Sequence, residues 1–526
     1  MCYKNCGFAH RLLSSSQRYG SRRGAPFANA HKRRYASVKT ILFVLPALQE
    51  VLSQEFRQIK YSLFPPLSLL TLAGLVPEGR YNLVVRDEHV EDVFVEEDVD
   101  LVVMTVYVSS ARRAYEISDF YRARGAKVFL GGIHPTTRPE EAAHHADSIC
   151  LGPGESVFLQ MLEDFEHGCL KQYYHGHRDR DISKVPLARR DLMNTSKYLI
   201  PNTSAVSRGC LYSCDFCYKE SFWGKNYYEF RPLADVRREL DTFRHKFVFF
   251  LDDNLMGNRR EARRLFALLK EYHFVWQAAA SIDTAYTPGF LEDAYEAGCR
   301  SLFVGFESIT KANMERAHKP QNQKYDYAGA IRRFHDAGIM INGSFVFGFD
   351  EDDPDVFART VEFAIRNKIE TATFHILTPF PGTRLFARLE AEGRILHRDW
   401  SAYDTRHVVF QPRLMTPSEL EEGYWWSYEE FYSYGSILRR SGGLPNPLKR
   451  LVYNVGWKKM DALWDFAIDH GLIPHILPLF EFALARGTSP RGCHPEAELK
   501  RLVAGARKSR EREGAAGVDG SRTHHG

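Results

Sequence analysis

A chain of 526 residues with 44% hydrophobic content has room for about three domains and for sizeable cores. Its net charge of +4 is small for that length, so charge points to no nucleic-acid partner and to no strongly charged membrane surface. Nine cysteines, only three of them clustered, do not form a disulfide framework; they fit a reducing, cytoplasmic setting.

The first 49 residues contain no Asp or Glu and nine Lys or Arg. Such a leader resembles a transit peptide, and equally a stretch read through from upstream of the true start. The second reading is favoured because Val38-Lys-Thr-Ile-Leu-Phe-Val44 reads as an opening strand. Residues 1–37 are therefore expected to be disordered or outside the native chain.

Residues 38–165 alternate short apolar runs with helical patterns. Thr40–Leu45, Leu83–Val85, Leu101–Thr105, Val128–Leu130 and Ser148–Cys150 read as buried strands, and Ala111–Arg122 as a helix. That alternation predicts a doubly wound (Rossmann-like) parallel sheet with its ligand at the C-terminal strand ends. The glycine turns Gly131-Gly132-Ile-His134 and Gly152-Pro-Gly154-Glu155 sit at those ends, where missing side chains admit a large ligand. A generic α/β domain has such turns too. A linker is expected over 166–199.

Residues 200–385 alternate again. Apolar runs at Ala205–Ser207, Val248–Leu251, Ala278–Ile282, Ser301–Phe306, Asn342–Phe347 and Thr371–Leu377 predict six βα units, a partial (β/α)6 barrel open on one side. Beyond it, residues 386–485 read as a mainly helical, aromatic-rich region, and 486–526 as a disordered tail. Tyr424–Tyr434 holds seven aromatics in eleven residues, either core or the wall of a large apolar site. Leu472–Ala485 is apolar but broken by Pro474 and Pro478. No stretch reaches the length of about eighteen apolar residues that a spanning helix needs, so any membrane contact would be peripheral.

The chemistry concentrates in Cys210-Leu-Tyr-Ser-Cys214-Asp-Phe-Cys217. A structural zinc site wants four closed ligands, and an electron-transfer [4Fe–4S] cluster wants four cysteines. Three suit a cluster whose remaining iron binds something else. Buried core thiols, or a zinc knuckle completed by a distant histidine, remain open on the motif alone.

The motif resembles that of radical S-adenosylmethionine (SAM) enzymes, and its neighbours resemble the cobalamin-binding branch of that family. These are Asp252-Asp253-Asn254, Ser281 and Asp283, Gly305-Phe-Glu307-Ser308, Gly343–Gly348 and Thr378-Pro-Phe-Pro-Gly-Thr383. The resemblance covers roughly residues 38 to 435. It implies that Cys210, Cys214 and Cys217 hold a [4Fe–4S] cluster whose free iron chelates SAM. It implies SAM contacts from Glu307 to the ribose, from Ser281 and Asp283, and from the backbone near Gly348. Asp252 and Asp253 join the cofactor-binding set, although each acid has a structural alternative as a helix cap. The resemblance also makes residues 38–165 a cobalamin domain, with Gly131, Gly132, His134, Gly152, Gly154 and Glu155 around the cofactor; Thr105 and Tyr107, just after the third strand, are expected near the cobalt's lower face. Pro153 departs from the commoner acidic residue at its position. Asp87-Glu-His89 looks like the segment that gives cobalt a histidine in methionine-synthase-type domains, but its glycine is absent and it follows the second strand. His89 is therefore expected to be a solvated loop residue.

The function implied is that of a cobalamin-dependent radical SAM C-methyltransferase. A 5′-deoxyadenosyl radical would activate an unactivated carbon of a lipid-like or polycyclic substrate. Methyl transfer from methylcobalamin would follow, with a ferredoxin or flavodoxin as electron donor. A non-methylating oxidative cyclase or ring-rearranging enzyme is the alternative, and a non-catalytic cobalamin sensor a further one. A tRNA methylthiotransferase would carry extra N-terminal cysteines; only Cys150 and Cys169 lie between the leader and Cys210.

Overall fold

Thr40 and the five apolar residues that follow it, Ile41–Leu45, form β1, buried on both faces as an inner strand of a parallel sheet requires. Around it lie Asn82–Asp87 (β2), Leu101–Thr105 (β3), Lys127–Gly131 (β4), Ser148–Leu151 (β5) and Tyr173–His175 (β6), all parallel, in the order β2-β1-β3-β4-β5-β6. The computed structural model describes residues 38–48, 64–95, 98–176, 182–225, 227–443 and 447–459. The leader 1–37, the stretch Leu472–Ala485 and the tail 486–526 lie outside these. β1 shows the double winding directly. Leu42 and Val44 pack with the helix Ala111–Arg122, whereas Ile41 and Phe43 pack with the helices Leu67–Leu75 and Phe158–Glu166. β6 was not expected, because three residues reading Tyr-Tyr-His carry no strand periodicity.

The second sheet runs β14-β13-β12-β11-β10-β7, again all parallel. Its strands are Thr203–Ser204 (β7), then Phe247–Phe250 (β10), Val275–Ala280 (β11), Cys299–Glu307 (β12), Met340–Phe347 (β13) and Thr371–Ile376 (β14). Ser207–Gly209 (β8) and Tyr228–Phe230 (β9) make a separate antiparallel pair. The strand expected at Ala205–Ser207 is thus split in two. The cause is Asp252, whose carboxylate draws in the backbone N–H of Val206 and Ser207 and turns the chain between β7 and β8. The run expected at Ala278–Ile282 ends earlier, at Ala280, because Ile282–Tyr286 coils into a short 3-10 helix.

Helices between the strands start where their caps dictate. Asn258 accepts from the amides of Arg260 and Glu261 to open Arg259–Lys270, and Asp326 does the same for Tyr327–Asp336. The sheet's last strand is closed by side chains rather than by another strand. The hydroxyls of Tyr428 and Tyr432, on and just after the helix Pro417–Phe431, each accept from one backbone N–H of β14 and donate to one of its carbonyls, at 2.8–3.1 Å. An exposed strand edge is thereby blunted. Much of the aromatic run is therefore core: Tyr424, Phe431 and Tyr432 are buried, and Trp425 and Trp426 face outward. Further on, the helix Pro447–Lys459 brings Arg450 and Asn454 into the interior, where Asn454 accepts from the fully buried Arg440. Among the described residues no helix is long and apolar enough to cross a membrane.

Candidate functional site

The first sheet's order reverses at β1, since the chain moves outward to β2 and then returns across β1 to β3. Such a switch point leaves a crevice beyond the strand ends. There a cavity of about 470 Å³ is lined by Thr105, Gly131, Gly132, Gly152, Gly154 and Glu155. It continues to Ser207, Arg208, Gly209, Asp252 and Asp253 of the barrel and to Phe222 and Trp223 beyond the cysteine loop. Eight of the residues expected at the cofactors thus share one space. Gly132 has φ +103°, and a Cβ there would stand 2.9 Å from the backbone of Val106. Only glycine lets this turn close so tightly against the Val106 backbone.

His134 does not line this cavity. It is fully buried, with Nε2 2.9 Å from the Tyr115 hydroxyl and 3.4 Å from Glu141, and with its ring edge-on to Trp400. It ties the first sheet to the C-terminal region. His89 departs from expectation in the other direction. Its side chain is only 10% exposed, is held by Asp87 at 2.8 Å, and lines the cavity. Asp87 in turn accepts from Tyr198 at 3.0 Å.

The three cysteines are free thiols near one another, half-buried at the loop that leaves β8. Burial pushes Cys214 up to about 12, against the pull of Lys319, and raises Cys217 against Lys219. Such thiols ionise readily only beside a positive centre. Among the described residues no three His, Cys, Asp or Glu converge closely enough to hold a single metal ion. A cubane asks for less, because each of three irons takes one thiolate. The donor set therefore fits a [4Fe–4S] cluster rather than a zinc knuckle.

Glu307 ends β12 at a register shift, with φ +60°. A bulge of this kind re-aims a side chain, and a non-glycine residue in the left-handed region is strained. The carboxylate is held by the Lys319 ammonium and by Ser344, whose hydroxyl donates at 3.4 Å. On the neighbouring strand end, Asp283 accepts from Tyr212 of the cysteine loop at 3.0 Å and from Arg259 at 2.7 Å. Ser281 accepts from Asn254 at 3.3 Å. The second oxygen of Asp283, the side-chain oxygen of Asn254 and one Arg259 nitrogen are buried without a hydrogen-bond partner in the structure. Buried acceptors and a donor left open together are costly unless a small ligand carries both kinds of group. The amino-acid end of SAM is such a ligand.

Asp252 is raised to about 6 by burial, and its oxygens are already taken by Val206 and Ser207. Asp253 pairs with Lys219 at 2.8 Å. Gly348, at φ +102°, lies against Leu420 and Phe410, and its amide donates to Asp352. Lys219, Tyr212, Arg259 and Lys319 escaped the sequence reading. Lys319 lies twelve residues past Glu307 with no motif to mark it.

An α/β chain with a switch-point crevice joined to the cysteine end of a partial barrel has the layout expected of a two-cofactor radical enzyme. Comparisons agree. The Radical SAM superfamily profile matches residues 204–364, the B12 binding domain profile residues 61–162, and a domain of unknown function residues 383–482. The chain is 30% identical over 394 residues to bacteriochlorophyllide d C-12(1)-methyltransferase of Chlorobaculum tepidum, covering 72% of this chain and 85% of that protein. It is 27% identical to hopanoid C-2 methylase of Rhodopseudomonas palustris, over 64% of this chain and 66% of that one. The solved radical SAM methyltransferase TsrM from Kitasatospora setae, with cobalamin and a [4Fe–4S] cluster bound, shares the fold. Its TM-score is 0.56 at 14% identity, covering 82% of this chain and all of that one. The chain belongs to the cobalamin-binding radical SAM family. It is an enzyme of the family's methyltransferase group, whose cofactors are a [4Fe–4S] cluster, SAM and cobalamin.

Proposed function

We propose that the protein transfers a methyl group to an unactivated carbon of a polycyclic or lipid-like substrate. The observation that carries this reading is the single cavity running from the glycine turns of the first sheet to Arg208 and Asp253 of the barrel. Its walls include Phe64, Tyr107, Phe222 and Trp223, which suit a broad apolar molecule. Relatives that methylate a bacteriochlorophyllide and a hopanoid support that substrate class.

In this reading Cys210, Cys214 and Cys217 hold the cluster. Glu307, Ser281, Asp283 and Arg259 hold SAM, with Gly348 shaping the adjoining turn. Gly131, Gly132, Gly152, Gly154, Glu155 and Thr105 border cobalamin. When bound, the cluster and SAM supply radical chemistry and cobalamin supplies the methyl group. The protein's own residues bind, orient and exclude water. Arg259 and Asp283 present opposite charges to a zwitterion, Lys319 holds the Glu307 carboxylate in place, and the aromatic wall keeps the cavity dry. Asp252 and His134 act at one remove, by fixing the turn before the cluster loop and the turn after β4. A ferredoxin or flavodoxin in the cytoplasm would deliver the electron.

The test is anaerobic reconstitution of the full chain with iron, sulfide and cobalamin, followed by incubation with SAM and candidate polycyclic substrates. Formation of 5′-deoxyadenosine with a product one methyl group heavier is expected. If 5′-deoxyadenosine forms while the product gains no methyl group, cyclisation or rearrangement replaces methylation. Absence of cobalamin binding would remove the reading of the cavity.

A further inference from the structure

The segment Thr378–Thr383 is conspicuous in sequence, and the roles assigned above do not use it. Its contacts, with those of the next two residues, converge on the cysteine loop. Phe380 stands edge-on to Tyr218, with centroids 6.4 Å apart. The carbonyl of Gly382 accepts from the Ser221 hydroxyl. Arg384 donates through Nε to Asp215 at 2.7 Å, through Nη1 to Glu220 at 2.7 Å, and through Nη2 to the Ser213 carbonyl. The amide of Leu385 donates to the Asp215 carbonyl at 3.0 Å. Ser213 and Asp215 flank Cys214, while Glu220 and Ser221 lie in the short helix Lys219–Trp223 just beyond Cys217.

The other side of the same segment meets the first sheet. Gly382 has φ +82°, and a Cβ there would come within 2.7 Å of the Thr137 methyl carbon and 3.1 Å of the Ser221 hydroxyl. Thr137 ends the short helix Ile133–Thr137 that starts from the Gly131-Gly132 turn. Three parts of the chain therefore meet with no room for one added carbon.

We infer that Phe380–Leu385 is a clasp that sets the cysteine loop against the Gly131-Gly132 turn, with Arg384 as its principal positioning residue. The inference rests on the proposed assignment of the three cysteines to the cluster. Arg384 touches none of them and acts through Ser213 and Asp215. A planar guanidinium can serve three acceptors in fixed directions at once, which a lysine ammonium on its flexible stem does poorly. Gly382 is required because a side chain would wedge the loop away from Thr137.

The experiment uses the full chain reconstituted with iron, sulfide and cobalamin. Four quantities are read: iron per chain, the change that SAM causes in the electron paramagnetic resonance signal of the reduced cluster as SAM is titrated, cobalamin occupancy from visible absorption, and the melting temperature. For Arg384→Met we expect SAM affinity to fall by about tenfold or more, as for loss of a charge-assisted hydrogen bond. The SAM-induced signal change should be lost, with cobalamin occupancy and melting temperature close to the parent's. Arg384→Lys should recover part of that signal. Gly382→Ala should show the same cluster defect, relieved in part by adding Thr137→Ser, which removes the opposing methyl. An intact SAM response in Arg384→Met would overturn the clasp, as would joint loss of cluster, cobalamin and melting temperature in both Arg384 variants. If Arg384→Met does not fold, the Gly382→Ala and Thr137→Ser pair decides: without relief the clasp is rejected. A parent protein that assembles no cluster breaks the cysteine assignment instead, so the two failures are distinguishable.

Discussion

The two sheets present opposite kinds of surface at their strand ends. The first has a switch point at β1 and lines its crevice with backbone, through Gly131, Gly132, Gly152 and Gly154. The second runs in sequential order from β10 to β14, has no switch point, and gathers acidic side chains paired with basic ones at its strand ends. Glu307 with Lys319, Asp283 with Arg259 and Asp253 with Lys219 are all ion pairs at or beside those ends. A large ligand of broad surface needs absent side chains and close backbone. A small zwitterion beside a metal cluster needs fixed charges. On the proposed assignment one sheet recognises by shape and the other by charge, and variants should separate the two.

The largest effect is expected from Cys214→Ala. Cluster content and SAM cleavage should vanish while cobalamin occupancy stays at the parent level, read by iron analysis and visible absorption. Loss of both cofactors together would break the division between the sheets. Gly132→Val tests the opposite side, since its Cβ would stand 2.9 Å from the Val106 backbone. Cobalamin occupancy should drop severely with the cluster retained.

Glu307→Gln removes the partner of a lysine that is only 7% exposed. Leaving one buried charge alone costs about 3–5 kcal/mol, so chemical denaturation should show a clear loss of stability alongside weaker SAM binding. A stable variant with unchanged SAM affinity would remove Glu307 from the charged set.

The smallest effect concerns neither ligand. His335 is buried and held down to about 4 from its ordinary 6.5, first by burial and then by Arg450, which also neutralises the nearby Glu370. Asp336 opposes the shift and Lys368 adds to it. A histidine easier to protonate when unfolded contributes its stability fully above pH 6.5 and loses it as the pH falls toward 4. The loss is up to about 3 kcal/mol. The melting temperature should fall over that window, and His335→Gln should flatten the slope. A slope unchanged in that variant would reject the assignment.

Strand and helix periods made much of the fold legible. β1, β3 and the helix Ala111–Arg122 lie where apolar spacing puts them, because burial on a sheet or helix face imposes that spacing. Legibility failed where a tertiary contact overrode the local pattern. Asp252 broke the strand expected at Ala205–Ser207, and tyrosines that could have walled a substrate instead seal the edge of β14. His134 and His89 exchanged their expected places, since a loop's sequence does not show which way it turns.

The sequence by itself determined the reactive groups: three thiols at fixed spacing, an acid at the end of the fourth barrel strand, and glycines at the ends of two strands of the first sheet. Local spacing is enough for these because each lies within one turn or one strand end. The partners were decided only by tertiary structure. Lys319 beside Glu307, Arg259 beside Asp283 and Arg384 across the cysteine loop come from elements 12, 24 and 169 residues away from the groups they serve. Charge pairing at such separations depends on which strand ends the fold brings together, and no local pattern records it.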